Sequence, residues 1–476
     1  MRIVAIDQGT TSTRAIVFSE AGQVDIAGSR RSSTTYPAPG WVEQDGNELL
    51  ASIGAVLRAA GDVDAIGIAN QGESCLAWDA ISGEPLSPVI VWQDARTDAL
   101  LKAMARDGLE SEVAARAALP LDPYFSAAKL GWIMQNAPQA KTAHAAGRLR
   151  LGTTDSFFLD RLAGTFATDR ATASRTSLMN METGTWDAEL CRLFGVPIEC
   201  LPEIRSNTAG FGTVGSVSIA AAIVDQQAAL YGHGCRNPGD AKITFGTGAF
   251  ALAVTGKTVP REALSSGLVP TVAWDFGDGM TYAIDGGVAD AGAAIEWALR
   301  AGLASGLEDF AAFAGQPAIE RGLVFVPAFS GLGCPHWDRS ASPLIIGLAP
   351  DMGRSDICQA LLEGVALLTA GVVKAIGKHA DLGSRLSIDG GLSKSGYFSQ
   401  FLADCCGVEV VVDGFAERTA FGVAELTACA MGQQLTAPAS KSVTLFPDQE
   451  THDWMRRFDA AVSKCQGWRY PGVTAP

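Results

Sequence analysis

Two short stretches, one at the start of the chain and one just past its midpoint, restrict the fold more than anything else. Residues 2–18 read RIVAIDQGTTSTRAIVF: an apolar run (Ile3, Val4, Ala5, Ile6), a polar loop around Gly9, and a second apolar run (Ala15, Ile16, Val17, Phe18). Residues 241–255 read AKITFGTGAFALAVT, which is again strand, Gly246-Thr247-Gly248, strand. Short apolar runs bounded by turn residues are buried strands, so each stretch predicts a β-hairpin. A glycine flanked by hydroxyls at a hairpin tip presents backbone N–H groups and side-chain O–H donors together, the groups that wrap phosphate oxygens. Alone, either hairpin would be a plain polar turn. Two copies in two halves of one chain predict a duplicated unit whose turns face each other across a cleft. Asp7, which closes the first strand, would repel phosphate unless a cation lay between them. Magnesium binds in that way, through one or two carboxylates plus substrate phosphates.

A chain of 476 residues exceeds one ordinary core, which predicts two large domains. The expected division is 1–234 and 235–476, with Asn237-Pro238-Gly239 as a turn near the boundary. Strands and helices alternate on both sides of it, the pattern of α/β domains. Strands are expected at 63–68, 88–92, 282–284, 386–388 and 408–412. Residues 149–158 and 219–230 read as strand turning into helix, with Asp225 at the second junction. The strand at 282–284 should end at Gly286-Gly287, ahead of a helix through Gly292. The plainest helix begins at Ser355 as N-cap and places Ile357, Leu361, Val365, Leu368 and Val372 on one face. A further helix should start at Ser393.

Charge excludes some partners. The balance is 36 basic against 51 acidic residues, −15 net, with no basic block, which argues against nucleic acid or an anionic membrane. Ten cysteines are scattered without a C-x-x-C pair; reduced core thiols of a cytoplasmic protein fit this better than disulfides or zinc. The apolar stretch around 364–373, bounded by Glu363 and Lys374, falls short of the ~20 residues of a membrane span. Three phosphate motifs fail on context. Residues 210–215 match G-x-G-x-x-G without a strand before or a helix after. Residues 246–251 follow a strand but continue as one, so no helix dipole meets a pyrophosphate. Gly371 to Gly377-Lys378 has one residue too many for a Walker loop and lies at a helix end.

Together these segments resemble the FGGY carbohydrate kinases of the actin-like ATPase superfamily, and among them the glycerol kinases. The likeness runs through Ala5-Ile-Asp-Gln-Gly-Thr-Thr-Ser12 with Arg14, Gly40-Trp-Val-Glu-Gln-Asp45, Ile66-Gly-Ile-Ala-Asn-Gln71 with Glu73, and Val91-Trp92-Gln93. It continues through Leu121-Asp-Pro-Tyr124-Phe-Ser126, Asp225-Gln226-Gln227, Phe245-Gly-Thr-Gly248 with Phe250, Val326-Pro-Ala-Phe-Ser-Gly-Leu-Gly333 and Asp389-Gly-Gly391. It implies two actin-like (ribonuclease H-like) α/β domains with the nucleotide and substrate cleft between them.

The resemblance also implies ATP and Mg2+ as cofactors, a small polyol or sugar as substrate, and transfer of phosphate to a terminal hydroxyl, with glycerol giving glycerol 3-phosphate. Asp225 matches the general base and Asp7 the acid that organises magnesium. Thr10, Thr11, Ser12, Arg14 and Thr247 match phosphate contacts. Gly292, Glu296, Gly391 and Ser395 match the nucleotide site, where Glu296 and Ser395 replace the family's glutamine and asparagine. Gln71, Glu73, Trp92, Tyr124, Asp225, Gln226 and Phe250 match polyol contacts. The family carries an arginine between Gln71 and Glu73, and this chain has Gly72. Another polyol or a ketopentose therefore stands as an alternative substrate, and a non-catalytic actin-like ATP-binding protein as a further reading. A dimer or tetramer is the expected assembly.

Overall fold

The structure is a computed structural model and describes residues 1–469. Its frame is two mixed sheets of matching build. In the first, Arg2–Gln8 pairs antiparallel with Ser12–Ser19 and parallel with Ala65–Asn70. Val24–Arg31 flanks the hairpin, and Val217–Val224 lies parallel to Ala65–Asn70 on the other side. The second sheet repeats the plan. Ala241–Phe245 pairs antiparallel with Ala249–Gly256 and parallel with Arg385–Gly390; Met280–Val288 flanks the hairpin and Glu409–Val412 extends the parallel side. The duplication predicted from two glycine–threonine turns is thus present as two sheets with one strand order.

The central strands are buried on both faces, which is why they read as unbroken apolar runs. Side chains alternate across a strand, and the first sheet shows the consequence. Val4, Ile6, Ile66, Ile68 and Ile219 face Leu49, Ile53 and Val56 of the helix Gly46–Ala60. Ile3, Ala5, Ala65 and Ile223 face the opposite way, onto Ala420, Val423 and Ala424 of the helix Arg418–Ala430. That second helix comes from the far end of the chain. It crosses the helix Asp225–Gly232 backbone to backbone: a Cβ on Gly422 would overlap the Ala228 carbonyl oxygen, and one on Gly232 the Arg418 carbonyl oxygen. Only glycine allows an approach this close.

Between the strands of the first sheet, a smaller four-stranded sheet (Glu43–Gln44, Val89–Ile90, Cys75–Asp79, Leu149–Thr153) builds a separate apolar core with helices including Ser126–Asn136. In the second half, the helix Arg354–Ile376 runs through the core.

Several expectations move. The long helix begins one residue before Ser355, with Gly353 as N-cap; the Gly353 N–H donates to the Asp356 carboxylate at 2.7 Å, so the acid supplies the cap. That helix is 23 residues and apolar enough to cross a membrane, longer than the 364–373 stretch suggests, but 83% of its most apolar window is buried inside the protein. Its composition is that of a core helix. Gly286-Gly287 do not end a strand: Met280–Val288 runs through them. Residues 392–394 form a single 3-10 turn, and the helix starts at Gly396, with Ser395 as its cap. The strand expected at 88–92 is only Val89–Ile90. All ten cysteines are free thiols. Among the described residues, His144, Glu199 and Cys200 bring ligand atoms within 4.8 Å of one another. Burial pushes the Cys200 thiol up to about 11, so that sulfur stays protonated at neutral pH.

Candidate active site

The two turns close in the same way. Gly9 N–H donates to Ser12 C=O at 3.0 Å, and Gly246 N–H to Gly248 C=O at 2.9 Å. The first turn is held by the neighbouring small sheet: Gln44 Nε2 donates to Thr10 C=O at 2.7 Å and Trp92 Nε1 to Thr10 Oγ1 at 2.9 Å. The second turn is held by the helix Gly292–Arg300. The N–H groups of Ala291 and Ala293 both reach Thr247 C=O at 3.0 Å, and Gly292 N–H reaches Gly246 C=O at 3.0 Å. A Cβ on Gly292 would lie 2.5 Å from the Gly246 oxygen, so glycine at this point is what lets the helix end seat on the turn. A helix N-terminus does meet the second turn, from a segment 45 residues further along the chain rather than from the residues that follow it.

Behind the turns lies a connected set of charges. Asp225 opens the helix that follows the strand Val217–Val224. Burial, joined by the nearby Asp7 and Glu73 carboxylates, pushes its carboxyl up to about 7; the Gln226 N–H and Lys242 pull the other way. A carboxylate at that value is poised to take a proton near neutral pH. Lys242 is fully buried, and its Nζ donates to Gln226 Oε1 at 2.7 Å and to Thr244 Oγ1 at 2.9 Å. Burial lowers its pKa against the pull of Asp389, Asp285 and Asp225. Glu73 sits at φ +56°, a left-handed conformation in a residue other than glycine, of the kind that collects at functional sites. Its carboxylate accepts from Arg175 Nε at 2.5 Å, and Arg175 Nη2 reaches Asp285 Oδ2 at 3.0 Å. The Glu73–Arg175–Asp285 chain is buried throughout. Burial raises the pKa of both acids, and the Arg175 cation opposes that rise.

A cavity of ≈ 300 Å³ opens between the halves, lined by Trp92, Tyr124, Phe250, Thr247, Arg175 and Asp285 among others. The three rings meet edge to face, Trp92 on Tyr124 at 5.6 Å and Trp92 on Phe250 at 6.1 Å. Asp122 and Arg339, from opposite halves, form an ion pair at 2.8 Å, and both line the same cavity. The structure therefore brings together Thr247, Trp92, Tyr124 and Phe250. Asp225, Gln71, Glu73 and Gln226 do not line that space. Gln71 is buried and spent on neighbours: it donates to Gln44 Oε1 at 2.9 Å and accepts from Ser74 Oγ at 3.2 Å.

The remaining expected residues fall as follows. Thr11 is exposed at the first turn with Thr10 and Ser12 beside it. Arg14 bridges Asp7 at 2.7 Å and Glu417 at 2.8 Å. Gly391 is exposed beyond the strand Arg385–Gly390, with room at its Cβ position. Ser395 Oγ is taken up by the cap of Gly396–Cys406 and by Phe310 C=O at 2.7 Å. Glu296 points to solvent beside Arg300 at 3.9 Å. Arg175, Asp285 and Lys242 were missed. Their signal was present, a lone charge inside an uncharged run: ATASRTS, AIDGGV and AKITF.

Paired glycine–threonine turns on duplicated sheets, a ring-walled cavity and a raised carboxyl fit an ATP-dependent phosphotransferase acting on an alcohol. Residues 2–232 match the N-terminal domain of the FGGY family of carbohydrate kinases, and residues 241–431 its C-terminal domain. The chain belongs to that family. It is similar to the glycerol kinases of Alkalilimnicola ehrlichii (39% identical, covering 98% of each chain) and Ectopseudomonas mendocina (41% identical, 97% of this chain and 95% of the relative). Among solved structures it resembles Plasmodium falciparum glycerol kinase with ADP (TM-score 0.87, 28% identical, 98% of each chain). The fold is shared as well with a xylulose kinase from Lactobacillus acidophilus (TM-score 0.85, 20% identical, 97% of each chain).

Proposed function

We propose that the enzyme transfers the γ-phosphoryl group of ATP to a terminal hydroxyl of glycerol, giving glycerol 3-phosphate and ADP. The observation that carries this reading is the full-length likeness to glycerol kinases; Asp225, which opens the helix after the strand Val217–Val224 with its carboxyl raised to about 7, supports it as the base. Asp225 takes the proton of the acceptor hydroxyl as its oxygen attacks the γ-phosphorus, and the bond to the ADP oxygen breaks. Gln226, whose side-chain carbonyl accepts from Lys242, keeps its amide N–H2 as a donor for the alcohol. Trp92, Tyr124 and Phe250 wall the carbon chain and exclude water, the competing acceptor. Thr10, Thr11, Ser12 and Arg14 take phosphate oxygens from one side and Thr247 from the other. Gly292, Glu296, Gly391 and Ser395 border the nucleoside.

The residues at the first turn fit magnesium. The Asp7 carboxylate opposes ionisation of Asp225, and Asp7, already paired with Arg14 on one oxygen, would hold a divalent cation that relieves this repulsion. When bound, the ion neutralises developing charge on the transferring phosphoryl group. We divide the chain at 234/235 and place the reaction in the cytoplasm, where ten free thiols persist.

The test is ADP release from purified enzyme with glycerol, other polyols and ketopentoses, with product identified by mass spectrometry, in magnesium and in EDTA. Phosphorylated glycerol formed only in magnesium is the expected result. ATP turnover indifferent to every alcohol would overturn the assignment.

A further inference from the structure

We propose that Arg175 and Asp285 form a hydroxyl-recognition pair in the substrate cavity, supplying the selectivity that position 72 lacks. The inference rests on the polyol-kinase reading above. Gly72 offers no donor, and its space is closed: a Cβ there would lie 2.9 Å from Val224 Cγ2.

Arg175 has three nitrogens and uses two. Nε is spent on Glu73 and Nη2 on Asp285 Oδ2, while Nη1 is buried with no partner. Asp285 uses Oδ2 and leaves Oδ1 buried with no partner. Both residues line the cavity, and of its described lining residues these two carry buried side-chain atoms left unpaired. A buried polar atom left unpaired costs about 1–3 kcal/mol, a cost that a hydroxyl bound at this pair would offset. What is left is the Nη1 amino group as donor and one carboxylate oxygen as acceptor, on hydrogen-bonded neighbours. An alcohol O–H complements both, accepting from Nη1 and donating to Oδ1. An anion would meet the Asp285 charge and an ammonium the guanidinium, so the pair selects a neutral hydroxyl.

The pair is also held in place. Glu73 fixes Arg175 from behind, and the guanidinium lies 5.4 Å from the Tyr124 ring centre. A donor already fixed loses little entropy on binding. Arg175 belongs to the first half and Asp285 to the second, so the hydroxyl is read only when both halves stand as they do here. These are specificity-determining residues and no part of the proton transfer at Asp225.

The experiment compares kcat/KM for glycerol, propane-1,2-diol and propane-1,3-diol, each of which keeps a primary hydroxyl, in wild type, Asp285→Asn and Arg175→Gln. A site built to bind a hydroxyl rejects the analogue lacking it by about 10⁴-fold. Wild type should therefore reject one diol by roughly 10³-fold or more, and in both variants that ratio should fall at least tenfold while ADP affinity, read by titration, stays within about threefold. Should Arg175→Gln fail to fold, the near-isosteric Asp285→Asn decides alone. A diol ratio unchanged in Asp285→Asn, or a wild type that accepts both diols as readily as glycerol, overturns the pair while leaving the kinase reading standing. Absence of turnover on all three alcohols overturns both.

Discussion

Replacing Asp225 by asparagine separates the catalytic from the structural consequences of one buried charge. Burial and two neighbouring carboxylates raise this carboxyl from 3.8 to about 7. At about 1.36 kcal/mol per pH unit, the ionised form is held at a cost of ~4 kcal/mol in the folded protein. The sign follows from proton linkage. Between the unfolded and folded values the native state binds the extra proton, so stability falls as pH rises through that window. Roughly 1.5 kcal/mol of the loss has accrued by about pH 5 and the remainder by about pH 8. Asparagine keeps the size of the side chain and removes the charge, so its advantage should grow by ~2.5 kcal/mol between those two conditions. For folding units of this size, about 2–4 °C per kcal/mol converts this to ~5–10 °C. Thermal unfolding of both proteins at the two pH values measures it, and groups common to both cancel. Transfer should fall by about 10²–10⁴-fold, the usual worth of a general base, with ADP binding retained. An asparagine protein with an equal Tm advantage at both pH values, or with undiminished turnover, would refute the reasoning.

The other predictions are more local. Gly292→Ala places a methyl 2.5 Å from the Gly246 carbonyl oxygen, so the helix must back away from the second turn; ADP titration should show affinity lowered by about tenfold or more, with stability down by about 1–3 kcal/mol. Lys242→Met removes the cation that holds Asp225 down and frees Gln226, so the acid limb of kcat/KM should move above its wild-type position near pH 7 and the KM for glycerol should rise. Gly422→Ala drives a methyl into the Ala228 carbonyl; overpacking of this kind costs about 3 kcal/mol, visible as a lowered Tm in protein lacking nucleotide.

The parts of this molecule written as contiguous patterns were legible in advance. Each hairpin carries its own strands and its own turn, so residues 2–18 and 241–255 declare themselves, and the matching sheet order follows from the repetition. Asp225 was legible because it ends a strand and opens a helix. The Glu73–Arg175–Asp285 chain was not, since its members lie 102 and 110 residues apart and no local period joins them. At position 395 the family likeness implies a nucleotide contact, while the hydroxyl caps the helix Gly396–Cys406, a use that no pattern in the sequence declares. Ser355 reads as a cap by residue type, but a carboxylate three positions past Gly353 does the same work from the other side.

The helix Arg418–Ala430 has a consequence for how the molecule is made. One face of the first sheet is covered by residues that leave the ribosome long after the sheet's own strands. Until then Ile3, Ala5, Ile16 and Ile223 have no lid, and each exposed large aliphatic side chain forgoes about 1.5–3 kcal/mol. The amino-terminal half cannot finish folding during its own synthesis, and it must wait, sticky on one side, for the rest of the chain. A premature stop anywhere before Arg418 should therefore release an aggregating fragment rather than a smaller working domain, and the soluble yield of a 1–234 fragment expressed alone against the full chain measures this.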